Sequence, residues 1–203
     1  MTTLLRIDAE TLPRVMVLDP PVTDTEFEAL CRENNNVLFE RTKEGAVRMN
    51  PPAGGWTSDG NSEISFQLRR WWAEHEHGRV FDSSGGFRLP DASILSPDAA
   101  YVSEEKLKQL PKGALRGFPR ICPDFVIELL SASDVLAELH SKMTDWIANG
   151  ALLAWLIYPY QDQAFVYRAD QPPQKLVATK ISGEGPVQGF VLDLGRVWKR
   201  YED

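Results

Sequence analysis

One part of this sequence restricts the fold more than any other: two apolar strand-like segments with an amphipathic helix between them. Residues 124–130 read DFVIELL, and residues 152–158 read LLAWLIY. Between them, residues 135–149 carry apolar side chains at helical spacing, and Gly150 follows as a helix stop. A strand, a helix and a second strand predict two parallel strands in one sheet. The helix is long enough to return the chain to the end of the sheet at which the first strand began.

The rest of the chain adds shorter elements around this unit. The patterns predict a helix after Thr23 or Asp24, strands over 37–41 and 45–50, a loop over 51–60, a helix over 61–76, a strand pair over 79–82 and 86–89, and a strand over 99–102. These upstream strands form an antiparallel meander. We therefore predict an α/β (α+β) fold with a mixed β-sheet flanked by helices. Residues 1–22 are predicted to be an N-terminal arm and residues 23–203 a single domain.

Charge and composition exclude several classes of protein. The net charge is −7 and the isoelectric point is about 5.1, which argues against a general electrostatic DNA binder. A nuclease remains possible, because a basic groove can be local or can be formed by a homodimer. Cys31 and Cys122 are not spaced as zinc ligands. The longest apolar run, residues 151–158, is too short to span a membrane, so we expect a soluble, cytoplasmic protein.

Glu128 is the most informative single residue. Side chains alternate along a strand, so Glu128 shares a face with Val126 and Leu130 in DFVIELL. A carboxylate inside an apolar strand is costly to bury unless it is paired or binds a metal. The alternative is an edge strand that exposes Glu128 to water.

Three further residues are candidates for the same site. Lys142 borders the apolar stripe of the 135–149 helix, where its ammonium could reach a carboxylate or simply extend to solvent. Asp98 follows Pro97 at the start of a strand, a position that also suits a turn residue. Glu63 lies in the first turns of the 61–76 helix, where an acid is favourable in any case.

Together these residue types suit metal-dependent phosphoester hydrolysis. Two carboxylates, Asp98 and Glu128, can bind Mg²⁺ or Mn²⁺ through oxygen, with water in the remaining positions. Such a metal polarises a phosphoryl oxygen and lowers the pKa of a bound water. Lys142 can then orient or deprotonate that water, and Glu63 can anchor a second one.

The sequence also resembles a large bacterial family of putative restriction endonucleases within the PD-(D/E)XK nuclease-like superfamily. The segments that carry the resemblance are FDSSGGFRLPDASILSPDAAYV, GFPRICPDFVIELLSASD and KMTDWIANGALLAWLIYP. It extends over about residues 23–198 and implies a restriction-endonuclease-like fold and a magnesium-dependent nuclease acting on DNA.

The resemblance also implies roles for individual residues. The first catalytic Asp of the family matches Asp98, the strand Glu matches Glu128, and the helical acid of the superfamily best matches Glu63. The usual Lys stands two residues after the strand Glu, but Leu130 occupies that position here. The resemblance assigns the Lys role to Lys142 on the following helix. Asp124 forms a second Pro-Asp pair at the entrance of the strand, and we do not expect it to belong to the site.

Three functions remain open on the sequence alone. The first is an endonuclease hydrolysing DNA phosphodiester bonds, and the second is a catalytically degenerate module that binds nucleic acid or protein, which Leu130 and the acidic composition favour. The third is a hydrolase for another phosphate ester. A DNA-directed enzyme should carry a basic groove beside the site, for which the candidates are Arg69, Arg70, Arg79 and Arg88. An ester hydrolase should have a closed pocket.

Overall fold

The computed structural model describes residues 15–35, 37–50 and 52–201. Its helices are α1 (Asp24–Glu33), α2 (Gly55–His75), α3 (Glu104–Lys108), α4 (Leu136–Ala148) and α5 (Leu194–Trp198). Its strands are β1 (Val15–Met16), β2 (Leu38–Arg41), β3 (Val47–Asn50), β4 (Arg79–Asp82), β5 (Phe87–Arg88), β6 (Ile94–Leu95), β7 (Ala99–Val102), β8 (Phe125–Leu129), β9 (Leu153–Tyr158), β10 (Gln163–Arg168), β11 (Gln174–Leu176), β12 (Lys180–Ser182) and β13 (Val191–Asp193). The predicted N-terminal arm lies mostly outside the described residues.

The larger sheet contains the unit that the sequence predicted. Its six strands run in the order β11-β10-β9-β8-β7-β4. Strands β8 and β9 are parallel, with Phe125 opposite Leu153, and α4 connects them. The other neighbouring pairs are antiparallel. The predicted parallel crossover and the mixed α+β architecture are therefore confirmed.

A second sheet of five strands, in the order β1-β3-β2-β6-β5, lies beside the first. The predicted pairing of residues 79–82 with 86–89 is wrong, because β4 pairs with β7 and β5 pairs with β6. The turn at residues 83–86 takes the chain from one sheet to the other. Turn residues look the same in either case, and the pairing of Phe87 with Leu95 of β6 places β5 in the second sheet.

Helix α2 begins earlier than predicted and packs against β8 at Gly60. It starts at Gly55, so residues 55–60 are helical and not the expected loop. Gly54 is its N-cap, a position at which glycine is acceptable. A side chain at Gly60 would approach the Leu129 side chain to 2.8 Å, so the glycine lets the helix lie directly against the strand. This contact places the start of α2 beside Glu128 and Asp98.

Both faces of β8 are covered, because the sheet separates two apolar cores. Phe125 and Ile127 face the core that contains Ile64 and Leu68 of α2. Val126 faces the core built with Met143 and Trp146 of α4. A third cluster packs α1 on the smaller sheet. None of the helices in the described ranges has the length and apolar character needed to cross a membrane.

Candidate active site

Glu128 occupies the centre of the larger sheet and is only 3% exposed. Strand β8 lies between β7 and β9, so the edge-strand alternative is wrong. The side chain lies on the α4 face of the sheet, where Trp146 Nε1 donates a hydrogen bond to Glu128 Oε1 at 2.8 Å. The predicted burial of this carboxylate is confirmed, and the structure supplies the partners that such burial requires.

Lys142 reaches Glu128 from α4. Its Nζ lies 2.9 Å from Glu128 Oε1 and 2.9 Å from Glu40 Oε1, and it donates to the Ser96 carbonyl oxygen at 2.9 Å. An ammonium has three donors, and each of them has an acceptor here. The alternative of a lysine that extends to solvent does not describe this side chain, which is almost fully enclosed.

Glu40 is a site residue that the sequence patterns did not identify. It belongs to β2 of the smaller sheet and, like Glu128, is 3% exposed. Ser96 N donates to Glu40 Oε1 at 2.8 Å, and Asn50 Nδ2 donates to Glu40 Oε2 at 3.3 Å. The available signal was the one that identified Glu128, namely a carboxylate that follows apolar residues inside a predicted strand. Only the packing of the two sheets shows that the two carboxylates share one lysine.

Asp98 lies across from Glu128 at the end of β7. Ala99 is paired with Ile127, so continuing the antiparallel register by one residue sets Asp98 opposite Glu128. Asp98 Oδ2 accepts a hydrogen bond from Leu129 N at 2.7 Å, and Oδ1 accepts one from Asn61 Nδ2 at 2.6 Å. The strand end and helix α2 therefore fix both oxygens of this carboxylate.

These side chains line one cavity of about 820 Å³ between the two sheets, α2 and α4. The cavity opens to solvent, unlike the closed pocket expected for a small-ester hydrolase. Its charged lining residues are Glu40, Arg48, Asp98, Glu128, Asp134, Glu138 and Lys142. The structure thus brings Asp98, Glu128 and Lys142 together, and it adds Glu40.

Burial and crowding of like charges control the ionisation of the cluster. Burial raises the pKa of Glu128 to about 8, with Asp98 and Glu40 adding to the effect and Lys142 opposing it. Burial likewise raises the pKa of Asp98. For Lys142, burial acts to lower the pKa, but the Glu128 and Glu40 carboxylates outweigh it and raise the pKa. Lys142 is therefore charged, and Glu128 and Asp98 hold protons more tightly than carboxyl groups usually do.

Glu63 is not brought to this cavity. Its carboxylate accepts from Gln67 Nε2 at 2.9 Å and pairs with Arg196 and with Arg200, the latter at 3.0 Å. Residues from α5 and the turn after it thus occupy its oxygens, and Glu63 is not among the residues that line the cavity. Its predicted role as an anchor for water stays a prediction, and its contacts favour a structural role.

The residues proposed as a basic groove also lie elsewhere. Arg69 and Arg70 lie over the rings of Trp72 and Phe66 on α2, and Arg88 pairs with Asp24 and Glu28. Neither these residues nor Arg79 line the cavity.

Asp124 and Leu130, the two other residues discussed from the sequence, lie outside the acidic cluster. Asp124 accepts a hydrogen bond from Ser103 N at 2.7 Å and forms an ion pair with Lys106 at 3.2 Å. Leu130 is buried in the core on the α4 side. The cation of the site therefore comes from the helix and not from the strand.

The carboxylates can be tested as magnesium ligands by their chemistry. In the described ranges, there is no group of three or more acidic, histidine or cysteine side chains arranged to hold a metal ion. Mg²⁺ does not require such a group, because it keeps several waters and commonly binds one or two carboxylates and a substrate phosphate. Asp98 and Glu128 provide two such carboxyl groups, and the cluster has three carboxyl groups beside a single lysine. The donor set therefore fits a hydrated Mg²⁺.

Comparison with known proteins relates the chain to a protein family and to a solved structure. A family model named Uma2, described as "putative restriction endonuclease", matches residues 24–195. Among the solved structures that match is a putative nuclease belonging to DUF820 from Anabaena variabilis ATCC 29413. It has 18% sequence identity and a TM-score of 0.67, and the match covers 80% of this chain and 90% of that one. A comparison with curated proteins found no match. The structural likeness supports the nuclease fold.

Proposed function

Because the chain belongs to the Uma2 family of "putative restriction endonucleases", we propose that it is a magnesium-dependent endonuclease that hydrolyses DNA phosphodiester bonds. One observation carries the proposal: Asp98, Glu128 and Lys142 converge on a single open cavity although they are far apart in the chain. The fold alone would not support an activity, because one fold serves many functions. The chemistry of this cluster does support one.

In this proposal Asp98 and Glu128 would hold the Mg²⁺. Both carboxylates are kept in place by hydrogen bonds from the main chain or from side chains of neighbouring elements, so their oxygens are oriented before any ligand arrives. The bound Mg²⁺ would supply Lewis-acid polarisation of the phosphoryl group and a water of lowered pKa. Mn²⁺ can substitute for it, since both ions favour oxygen ligands.

Lys142 acts on the water and on the developing charge. Its ammonium lies beside Glu128 and is held from behind by Glu40 and the Ser96 carbonyl. From this position it orients the attacking water and stabilises negative charge on the phosphoryl oxygens as the bond to the leaving oxygen breaks. Since all three of its donors are engaged, Lys142 must release one acceptor when substrate binds. The Glu128 contact is the one that a metal at Glu128 would weaken.

The second candidate is a catalytically degenerate module that binds nucleic acid or protein. The observation that favours it is the complete engagement of Lys142 together with a leucine at the position of the usual lysine, Leu130. In that case the buried lysine would serve only to neutralise two carboxylates.

Cleavage assays distinguish the two candidates. The full chain is incubated with supercoiled plasmid and with circular single-stranded DNA in Mg²⁺ or Mn²⁺, beside Asp98→Asn, Glu128→Gln and Lys142→Met. We expect cleavage by the parent, loss with EDTA, and at least a roughly hundred-fold loss in each variant, the scale seen when transition-state donors are removed.

The matched control is Asp124→Asn, which changes another buried carboxylate that lies outside the cavity. We expect it to keep most of the activity per folded molecule, with folding followed by circular dichroism. Cleavage that survives in Asp98→Asn and Glu128→Gln contradicts the proposed site. A parent that cleaves no nucleic acid favours the binding module.

A further inference from the structure

Exposed apolar side chains are concentrated at the cavity that holds the acidic cluster. Five of the twelve exposed large apolar residues in the described part of the chain line it. They are Val15, Leu38, Trp56, Val135 and Tyr160. Exposed apolar residues scattered singly need no explanation, but a concentration around one opening indicates a surface that a ligand covers.

Two of these residues are aromatic and flank the acidic cluster from different elements. Trp56 is 51% exposed in the first turn of α2. It precedes Asn61, the hydrogen-bond partner of Asp98, by about 7.5 Å along the helix axis. Tyr160 is 45% exposed in the turn after β9, the strand paired with β8. The Tyr160 ring packs edge-on against the Tyr201 ring, with 5.2 Å between the ring centroids. This contact restricts the orientation of the Tyr160 ring.

The charges around the cavity are unsuited to a DNA duplex. Its lining contains five carboxylates and two cations. Arg48 pairs with Glu138 at 3.8 Å, and Lys142 lies between Glu40 and Glu128. Duplex binding draws its affinity from clustered cations on the phosphates, and both cations here are already paired. A single strand also presents the faces of its bases, which stack on aromatic side chains without regard to sequence.

We propose that this cavity binds unpaired nucleotides, with bases stacked on Trp56 and Tyr160 and the phosphate directed at the acidic cluster. The inference rests on the proposed nuclease function and adds the substrate class: single-stranded DNA or an unpaired segment of it. Stacking supplies the affinity that the paired cations do not. Asp98 and Glu128 would hold the Mg²⁺ that receives the phosphate of the stacked nucleotide.

Binding measurements test the proposal separately from cleavage. Fluorescence anisotropy follows a short fluorescein-labelled single strand, and the duplex of the same sequence, against the full chain in Ca²⁺ buffer. We expect the single strand to bind more tightly than the duplex. Trp56→Ala should weaken single-strand binding at least roughly five-fold, and Trp56→Phe should retain most of it.

Phe66→Ala is the matched control, because Phe66 is an equally exposed aromatic residue on α2 that does not line the cavity. It should bind as the parent does. The inference is overturned if the duplex binds more tightly, or if Trp56→Ala and Phe66→Ala have the same effect. It is also overturned if sedimentation velocity shows that Trp56→Ala abolishes self-association and leaves oligonucleotide binding unchanged.

The same variants in the cleavage assay separate this inference from the function on which it rests. If the protein cleaves duplex DNA and Trp56→Ala does not change that rate, the nuclease function is supported and the single-strand preference is rejected. Single-strand binding that depends on Trp56 without any cleavage upholds the binding site and rejects catalysis.

Discussion

The ammonium of Lys142 is shared by two buried carboxylates, Glu40 and Glu128, and a half-buried carboxylate, Asp98, stands immediately before the neighbouring strand. Burying several like charges is costly, and a single lysine does not balance them. Sites of this kind are common where function requires charge that folding alone would avoid. Three carboxyl groups beside one lysine are the physical basis for expecting a divalent cation here, which would replace the proton that Glu128 otherwise holds.

The ionisation of Glu128 predicts how stability depends on pH. Its pKa is about 8 in the folded protein and near 4.5 in an unfolded chain. Between these values the folded protein holds a proton that the unfolded chain has lost, so a rise in pH favours unfolding. We expect the free energy of unfolding of the metal-free protein to fall by a few kcal/mol from pH 5 to pH 8.

Urea denaturation across this pH range measures the effect, with Glu128→Gln as the comparison because it cannot ionise. The variant should show a clearly flatter profile. A parent and a variant with parallel profiles would refute the raised pKa.

Glu40 is expected to act as a positioning residue for Lys142. Glu40→Gln removes one of the two carboxylates that fix the ammonium, so the lysine can move away from the attacking water. Displacements of about 1 Å in a catalytic group cost up to roughly hundred-fold in rate. In single-strand cleavage assays we expect kcat to fall ten-fold or more, with little change in KM.

Glu138→Gln is the control, because Glu138 lines the same cavity without contacting the lysine. It should cleave at close to the parental rate. Equal losses in the two variants would show that any reduction of negative charge has this effect, and the positioning role would be rejected.

Among the elements, helix α2 borders the site at three points. Its first turn carries Trp56, Asn61 binds Asp98, and Gly60 permits its close contact with β8. It also contacts the C-terminal segment, where Arg196 and Arg200 pair with Glu63. The helix therefore connects the cavity to the end of the chain.

This connection predicts that Glu63 affects stability and not chemistry. Glu63→Gln leaves two arginines without their shared partner, and both are partly exposed, so water compensates in part. We expect a loss of about 1–3 kcal/mol in the free energy of unfolding, with cleavage unchanged per folded molecule. Chemical denaturation and the plasmid assay measure the two quantities.

Glu74→Gln, an exposed position on the same helix, should change neither. If Glu63→Gln abolishes cleavage while its unfolding curve matches that of the parent, Glu63 has the catalytic role that the sequence suggested.

At the scale of the whole molecule, Lys142 joins the two sheets. Glu40 belongs to the five-stranded sheet and Glu128 to the six-stranded sheet, and the same ammonium pairs with both. The cavity lies at this junction, so its shape depends on how the sheets are held together. Stability and site geometry are therefore linked through one side chain.

Lys142→Met is expected to loosen this junction. Breaking a buried ion pair leaves uncompensated charge and costs about 3–5 kcal/mol. We expect a loss of that size at pH 8 and a smaller one at pH 5, where the raised pKa of Glu128 lets the carboxyl take up a proton. Lys43→Met, which removes an exposed cation paired with Asp145, should cost less than about 1 kcal/mol.

Chemical denaturation of both variants at the two pH values tests this prediction. Equal losses for the buried and the exposed lysine would exclude a structural role for the buried pair. A loss that is the same at pH 5 and pH 8 would show that charge is not its cause.

The sequence alone determined the elements with strong local patterns. The run DFVIELL, the amphipathic helix after it and the apolar strand at residues 153–158 specified a parallel crossover, because burial on both faces requires continuous apolar residues. The same run made Glu128 conspicuous, because a carboxylate is costly there. The start of α2 was missed because glycines at residues 54, 55 and 60 suggest a loop, while packing against Leu129 makes that spacing helical.

Only the tertiary structure decided which distant residues meet. The sequence marked Glu40 only as a carboxylate in an apolar strand, because its partner, Lys142, is about a hundred positions away and reaches it across the junction of two sheets. Glu63 was assigned a catalytic role because it best matched the helical acid of the resembled superfamily, but in the structure it pairs with two arginines of the C-terminal segment. Local patterns report which side chains are costly to bury, and only the packing of the elements shows how that cost is met.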